Sequence, residues 1–257
     1  MGSPQTEIVY GVHAVNALLT RQPDRVLRIY LQQGRADARA SQIEQLARAA
    51  GKTIERVDAS RLQSRLGNVV HQGIVAEVAA LAAWHEDELL EAVQVNPAPL
   101  VLALDGVQDP HNLGACLRTA DACGVLALLV PRDRAAPLNA TARKSASGAA
   151  ETTPVVTVTN LARTLGLLKE AGLWIVGADA DAPQPAAQVD LTGPRVLVMG
   201  AEGRGLRHLT RRHCDWLARL PSLGSVGSLN VSVAAGMLLY EALRQREVAG
   251  SAPAPLK

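Results

Sequence analysis

The segment Leu220-Pro221-Ser222-Leu223-Gly224-Ser225-Val226-Gly227-Ser228-Leu229-Asn230-Val231-Ser232-Val233-Ala234-Ala235-Gly236-Met237-Leu238-Leu239-Tyr240-Glu241 sets the pattern of strand, loop and helix in this 257-residue chain. The apolar run Trp216 to Leu220 reads as a strand and breaks at Pro221. Gly224 and Gly227, set among serines, free the backbone to fold tightly around something small. A helix then starts near Ser228, with Ser228 or Asn230 available as its cap. Val231, Ala234, Ala235 and Leu238 recur along it at helical spacing, and the small residues permit close backbone approach. A capped helix after a flexible loop accounts for the segment equally well, until the chain upstream is read.

From Leu100 the same pattern recurs. Leu100 to Leu104, Leu126 to Val130, Val155 to Val158, Leu173 to Val176 and Arg195 to Met199 are short apolar runs without strict alternation, as in strands buried on both faces. Helical segments lie between several of them: Asn112 to Cys123, Asn139 to Ala150 and Asn160 to Ala171. This alternation predicts an α/β fold, a parallel sheet with helices on both faces. In such a sheet, ligands bind beyond the carboxyl ends of the strands.

Residues 7 to 80 read as a separate, smaller α/β unit. Helices are expected over Tyr10 to Leu19 and Asp37 to Ala50, with strands at Val26 to Leu31, Thr53 to Val57 and Gly73 to Val78. Arg21, Arg25, Arg28, Arg35 and Arg39 cluster around the first strand, either as a solvated basic face or as a phosphate-contacting surface. Residues 1–80 hold 10 Lys and Arg against 7 Asp and Glu, whereas residues 81–99 hold four acids and no base. That shift, and the ending Asn96-Pro97-Ala98-Pro99, mark 81–99 as a linker with one or two helical turns, leaving 100–257 as the second domain.

Composition narrows the function classes. Charged residues make up 19% and the net charge is +2, so overall attraction to nucleic acid is weak. Aromatic content is 2% with no Phe, which argues against base-stacking platforms and leaves backbone and shape to carry any RNA recognition. No run approaches the ~20 apolar residues of a membrane span, and no basic-then-apolar signal opens the chain. Cys116, Cys123 and Cys214 form no C-x-x-C pair, which fits free thiols in a reducing cytoplasm, and a zinc site at His208, His213 and Cys214 is not expected.

Two further loops carry chemistry-bearing residues. In Asp105 to Ala120, Asn112 fits a helix cap and Leu113, Leu117, Ala120 and Gly124 form the expected buried face. Gly114, Arg118 and Asp121 share another face, so Arg118 should reach back over empty space at Gly114 toward the loop. In Val198-Met199-Gly200-Ala201-Glu202-Gly203-Arg204-Gly205-Leu206, three glycines surround one carboxylate directly after a buried strand. A nicotinamide site would need its glycine loop after the first strand, so an oxidoreductase is disfavoured.

Asn112-Leu113-Gly114-Ala115 with Arg118, Met199-Gly200-Ala201-Glu202-Gly203, and Leu220-Pro221 followed by Gly224-Ser225-Val226 and Ser228-Leu229-Asn230-Val231-Ser232 closely resemble the three ordered motifs of the SPOUT superfamily, TrmH (SpoU) type. These are S-adenosylmethionine-dependent RNA ribose 2'-O-methyltransferases. Tyr10-Gly11-Val12-His13-Ala14-Val15, His71-Gln72-Gly73-Ile74, Leu138-Asn139-Ala140-Thr141-Ala142 and Gly148-Ala149-Ala150-Glu151 extend the resemblance to the bacterial ribosomal RNA guanosine-2'-O-methyltransferases. Only the linker and the loop from Asp181 to Gly193 remain unmatched.

The resemblance implies a C-terminal trefoil knot, a homodimer with catalytic parts near its interface, and an N-terminal RNA-binding domain. It implies S-adenosyl-L-methionine as cofactor, large-subunit (23S) ribosomal RNA as partner, and neither metal nor membrane. Arg118 matches the residue nearest the chemistry, with Asn112, Glu202, Ser228 and Asn230 at the other polar positions. Gly200, Leu220 and Leu229, with Gly203, Ser228 and Ala234 close by, match the cofactor-lining positions; Gly177-Ala178 is a weaker candidate. No role is implied for Leu223 or Gly227, and Arg204, where the family varies, has at most an RNA phosphate contact. The same chemistry on transfer RNA, or a noncatalytic RNA-binding assembly factor on this fold, are the alternatives.

Overall fold

The computed structural model describes residues 6–67, 71–79, 84–224 and 228–250. Ser225, Val226 and Gly227 of the third motif, and the expected domain boundary at residues 80–81, lie outside the described residues. The chain divides into two compact units, Met1–Ala82 with Ser147–Thr152, and Ala83–Ala146 with Thr153–Lys257.

The first unit runs β1 (Thr6–Tyr10), α1 (Val12–Arg21), β2 (Val26–Gln32), α2 (Ala38–Ala49), β3 (Ile54–Val57), α3 (Ala59–Leu66) and β4 (Ile74–Ala79). Its sheet has the order β1-β4-β2-β3, with β4 antiparallel to both neighbours and β2 parallel to β3. Ile74, Ala76 and Val78 pack with Val15, Leu18, Ile29 and Ile43 on one face. The intervening Val75 packs with Tyr30 and Leu62 on the other. Both faces of β4 are covered, and the one charged residue within it, Glu77, accepts from the Tyr30 hydroxyl at 3.1 Å. Two sequence signatures meet here: the Gln72 side-chain oxygen accepts from the backbone N–H of Val12, and Gly11 donates to Ile74. Of the five clustered arginines, Arg35 pairs with Asp37 at 2.7 Å and Arg25 with the buried Glu151 at 3.5 Å. Those two are held within the unit, so the cluster is not a uniform solvated face.

The second unit begins with α4 (Glu86–Val95), then runs β5 (Leu100–Asp105), α5 (Pro110–Ala122), β6 (Ala127–Pro131), α6 (Ala140–Ala146), β7 (Val155–Val158), α7 (Leu161–Glu170), β8 (Trp174–Ala178), β9 (Gln184–Pro185), β10 (Arg195–Gly200), α8 (His208–His213), β11 (Trp216–Arg219) and α9 (Val231–Val248). Its sheet has the order β7-β6-β5-β10-β8-β11-β9, and every pairing is parallel. Val101, Ala103, Val196 and Val198 pack under α4 and α7. The alternate residues Leu102, Leu104 and Leu197 are equally buried on the opposite face, where α5 contacts α6 and α9.

Several local expectations change. The segment expected as a linker holds α4, whose Leu89 and Val93 are buried in the second unit's core at helical spacing. The helix expected over Asn139 to Ala150 stops at Ala146, because Ser147 and Gly148 both take positive φ, at 51° and 100°. The following residues, through Thr152, belong with the first unit.

Candidate active site

All strands of the second unit run the same way, so the loops after β5, β6, β8, β10 and β11 leave one edge of the sheet. Pro110 occupies the first turn of α5, and Asp109 caps it by accepting from the backbone N–H of His111 at 3.0 Å. Asn112 is therefore not the expected cap. Standing inside the first turn, its side chain is free to work outward, and its amide donates to Glu202 Oε1 at 3.3 Å.

Asn230 completes this cluster. Its Oδ1 caps α9 by accepting from the N–H of Ser232 at 2.9 Å and of Val233 at 3.4 Å. Its Nδ2 donates to Glu202 Oε1 at 2.8 Å and to Asn112 Oδ1 at 3.0 Å. The backbone N–H of Val231 also donates to Glu202 Oε1, at 3.3 Å. Asn112, Glu202 and Asn230, separated by up to 118 positions in sequence, thus form one network. Of the two caps the sequence allowed for α9, Asn230 is the one used, and the helix begins at Val231 rather than near Ser228.

The loop carrying Glu202 is a tight reversal. Ala201 and Gly205 exchange backbone hydrogen bonds at 3.1 and 2.9 Å, and Gly203 and Gly205 take positive φ of 72° and 64°. A Cβ placed on Gly200 would sit 2.2 Å from the Gly205 carbonyl carbon, so only glycine allows this closure. Asp105, fully buried at the end of β5, accepts from the Arg207 N–H at 2.8 Å and pairs with the Arg207 guanidinium. It fastens the far end of the loop. Nothing local in the sequence marks this role, because the partners lie 102 residues apart.

Beside this loop lies a cavity of about 400 Å³. Gly200, Gly203, Leu220, Ser228, Leu229 and Ala234 all line it, as does Glu202. Ala178 lines it too, but Gly177 does not: an added Cβ there would meet Cys214 Sγ and Leu206 Cδ1, each at 2.7 Å, so this glycine serves packing. Asp179 and Asp181, which the sequence did not single out, also line it, and Asp179 pairs with Arg211. A second cavity, of about 430 Å³, lies against Asn112 and shares Glu202 with the first.

Arg118 is placed differently from expectation. It is exposed on α5 and lines neither cavity. The space beside Gly114 is not empty: a Cβ there would meet the Ala142 carbonyl at 2.3 Å and Ser145 Cβ at 2.5 Å. Gly114 is buried with Leu113 and Leu117, and lets α6 approach α5. Burial pushes the Cys214 thiol up to about 12, and no group of three His, Cys, Asp or Glu among the described residues is placed to hold a metal.

Comparison with known proteins matches these features to one group. Residues 99–240 match the model of the SpoU rRNA Methylase family, and residues 8–84 match that of RNA 2'-O ribose methyltransferase substrate binding. The 23S rRNA (guanosine-2'-O-)-methyltransferase RlmB of Pseudomonas aeruginosa is 56% identical over 243 residues, covering 94% of this chain and 98% of that protein. The crystal structure of the SpoU methyltransferase AviRb from Streptomyces viridochromogenes, in complex with the cofactor AdoMet, superposes with a TM-score of 0.75 at 25% identity, over 95% of this chain and 91% of that one. A TrmH/SpoU tRNA modifying enzyme from A. aeolicus, with a TM-score of 0.54 and 32% identity, covers 67% of this chain and 90% of its own. With its glycine-closed loop, its Asn–Glu–Asn network and a family match over most of the second unit, the chain belongs to the SpoU rRNA methylase family.

Proposed function

We propose that this protein methylates the ribose 2'-oxygen of a guanosine in 23S ribosomal RNA, with S-adenosylmethionine as donor. The observation that carries this reading is Glu202, which three donors hold at the meeting of two cavities. The first cavity suits the donor. Its volume lies in the range of ligand sites, and Leu220, Leu229 and Ala234 supply apolar walls. Gly200 brings backbone to its edge, and the carboxylate of Asp181 suits a cationic ligand.

Bound there, the donor supplies a methyl group carried on a sulfonium. The neutral 2'-hydroxyl is a poor nucleophile, and it must shed its proton as the oxygen–carbon bond forms. Glu202 Oε1 is taken by Asn112, Asn230 and Val231, which leaves Oε2 to accept from the ribose hydroxyl. Ser228, in the loop before α9, lines the donor cavity and positions the donor, while Asn230, committed to Glu202, Asn112 and the cap of α9, holds the carboxylate in place for the sugar. A guanidinium offers only donors, so the role of Arg118 is to steady an RNA phosphate and the negative charge on the 2'-oxygen.

Arg118 lies outside both cavities of its own chain, so in this reading a second copy presents it, and the active species is a homodimer. We propose also that the crossing of the loops after β10 and β11 is a trefoil knot, that residues 1–80 and 100–257 are the RNA-binding and catalytic domains, and that the enzyme works in the cytoplasm. Among the described residues no helix is long and apolar enough to cross a membrane. Ribosomal rather than transfer RNA is favoured by the match at residues 8–84, since the A. aeolicus tRNA enzyme covers only 67% of this chain.

Arg118→Ala is expected to lose methyl transfer by about a hundredfold or more while donor binding, followed by calorimetry, stays within about twofold. Wild-type turnover in this variant would remove Arg118 from the chemistry. Primer-extension mapping of ribose methylation, in cells with and without the protein, identifies the nucleotide.

A further inference from the structure

The second cavity, between the loops after β5 and β6, is distinct from the donor cavity but shares the 201–206 loop with it. Its charged groups are not equivalent. Asp105 and Arg207 neutralise each other, and Asp109 is engaged in capping α5. Arg134 and Arg204 also line it, and among the described residues neither guanidinium has an ion-pair partner.

Arg134 is held in an unusual backbone. Its φ is +58°, a conformation that side-chain-bearing residues seldom adopt. The loop is pinned on both sides of it: Arg132 N–H donates to Val158 and Ala136 N–H to Val107, each at 2.8 Å. Strain of this sort persists where the surroundings enforce it, and it fixes the direction in which a side chain leaves the backbone. No aromatic ring lines the cavity, so a base placed there is not held by stacking.

Resting on the methyl-transfer reading above, we infer that this second cavity receives the acceptor nucleotide, and that Arg134 and Arg204 are positioning residues which grip RNA phosphodiesters beside it. Guanidinium suits that task, because its planar fork of donors matches two phosphate oxygens. The shared wall gives the arrangement its logic. A nucleotide in one cavity and a donor in the other meet at Glu202, and Arg204 reaches from the wall itself.

The test uses the full-length chain, 23S ribosomal RNA and labelled S-adenosylmethionine. In Arg134→Gln and Arg204→Gln, KM for RNA is expected to rise about tenfold, and in Arg134→Gln, which lies outside the donor cavity, kcat and donor affinity stay within about twofold of wild type. The slope of log affinity for RNA against log salt should fall by about one for each arginine removed. Arg134→Lys should recover the salt slope but only part of the KM, since an ammonium keeps the charge and loses the fork. Wild-type KM and slope in both glutamine variants overturn the inference, and so does a fall in kcat alone. Wild-type protein that transfers no methyl to any RNA overturns the underlying reading instead, while the binding slopes still decide whether these arginines hold phosphate.

Discussion

Cys116 is fully buried in α5, and loss of solvation pushes its thiol up to about 12 from an ordinary value of 9.0. At pH 9 that leaves about one thiolate in a thousand, against about half for a free thiol. Native protein should therefore leave Cys116 unlabelled by iodoacetamide at pH 9, with rapid labelling once it is unfolded in urea. The same shift has a stability consequence. Since the folded state prefers the neutral thiol, its contribution is intact below about pH 9 and is lost as pH rises toward 12. Gly114, two positions earlier, makes a steric prediction. Gly114→Ala places a methyl 2.3 Å from the Ala142 carbonyl, which cannot yield cheaply because it is backbone. Overpacking of this kind costs about 1–3 kcal/mol, read as a lowered melting temperature. An unchanged melting temperature would show that α5 and α6 can separate without cost.

At the scale of elements, the site depends on loops held from a distance. Asp105 joins the end of β5 to the far side of the 201–207 loop. Asp105→Asn keeps an acceptor for the Arg207 N–H but removes the charge partner of its guanidinium. Donor affinity is expected to weaken by about tenfold, the scale of one charge-assisted hydrogen bond, because the loop that Asp105 fastens also walls the donor cavity. Calorimetry with S-adenosylmethionine decides this, and unchanged affinity would mean that the loop keeps its shape through the glycines alone. Most of these elements were legible from periodicity: each apolar run after Leu100 became a strand of the parallel sheet. The departures have local causes. Pro110 pulled the start of α5 forward, and positive φ at Ser147 and Gly148 ended α6 early.

At the scale of the whole molecule, the proposal makes each active site the work of two chains. Arg118→Ala and Gly200→Ala chains are each expected to be inactive, the second because its methyl would fall 2.2 Å from the Gly205 backbone. Mixed at random as dimers, they should recover about a quarter of wild-type activity, since half the dimers are hybrids with one intact site. No recovery, in a mixture shown by sedimentation to exchange subunits, would place Arg118 in the site of its own chain.

The apolar runs that became β5, β6, β7, β8, β10 and β11, the glycine loops and the residue types of the site were determined by the sequence alone, whereas β1, α3, β9 and α8 were not read from it. Each feature that was read rests on interactions within a few positions: side-chain periodicity, proline and glycine geometry, and capping chemistry. What the tertiary structure decided is which distant residues meet. Asn112, Glu202 and Asn230 become one network only because β5, β10 and β11 point the same way and bring their exits to one edge. Asp105 finds Arg207, and Arg134 finds the wall of the second cavity, for the same reason. Gly114 could be read as open space beside Arg118 because a helix drawn alone has no neighbour, and only the packing of α6 shows what fills it.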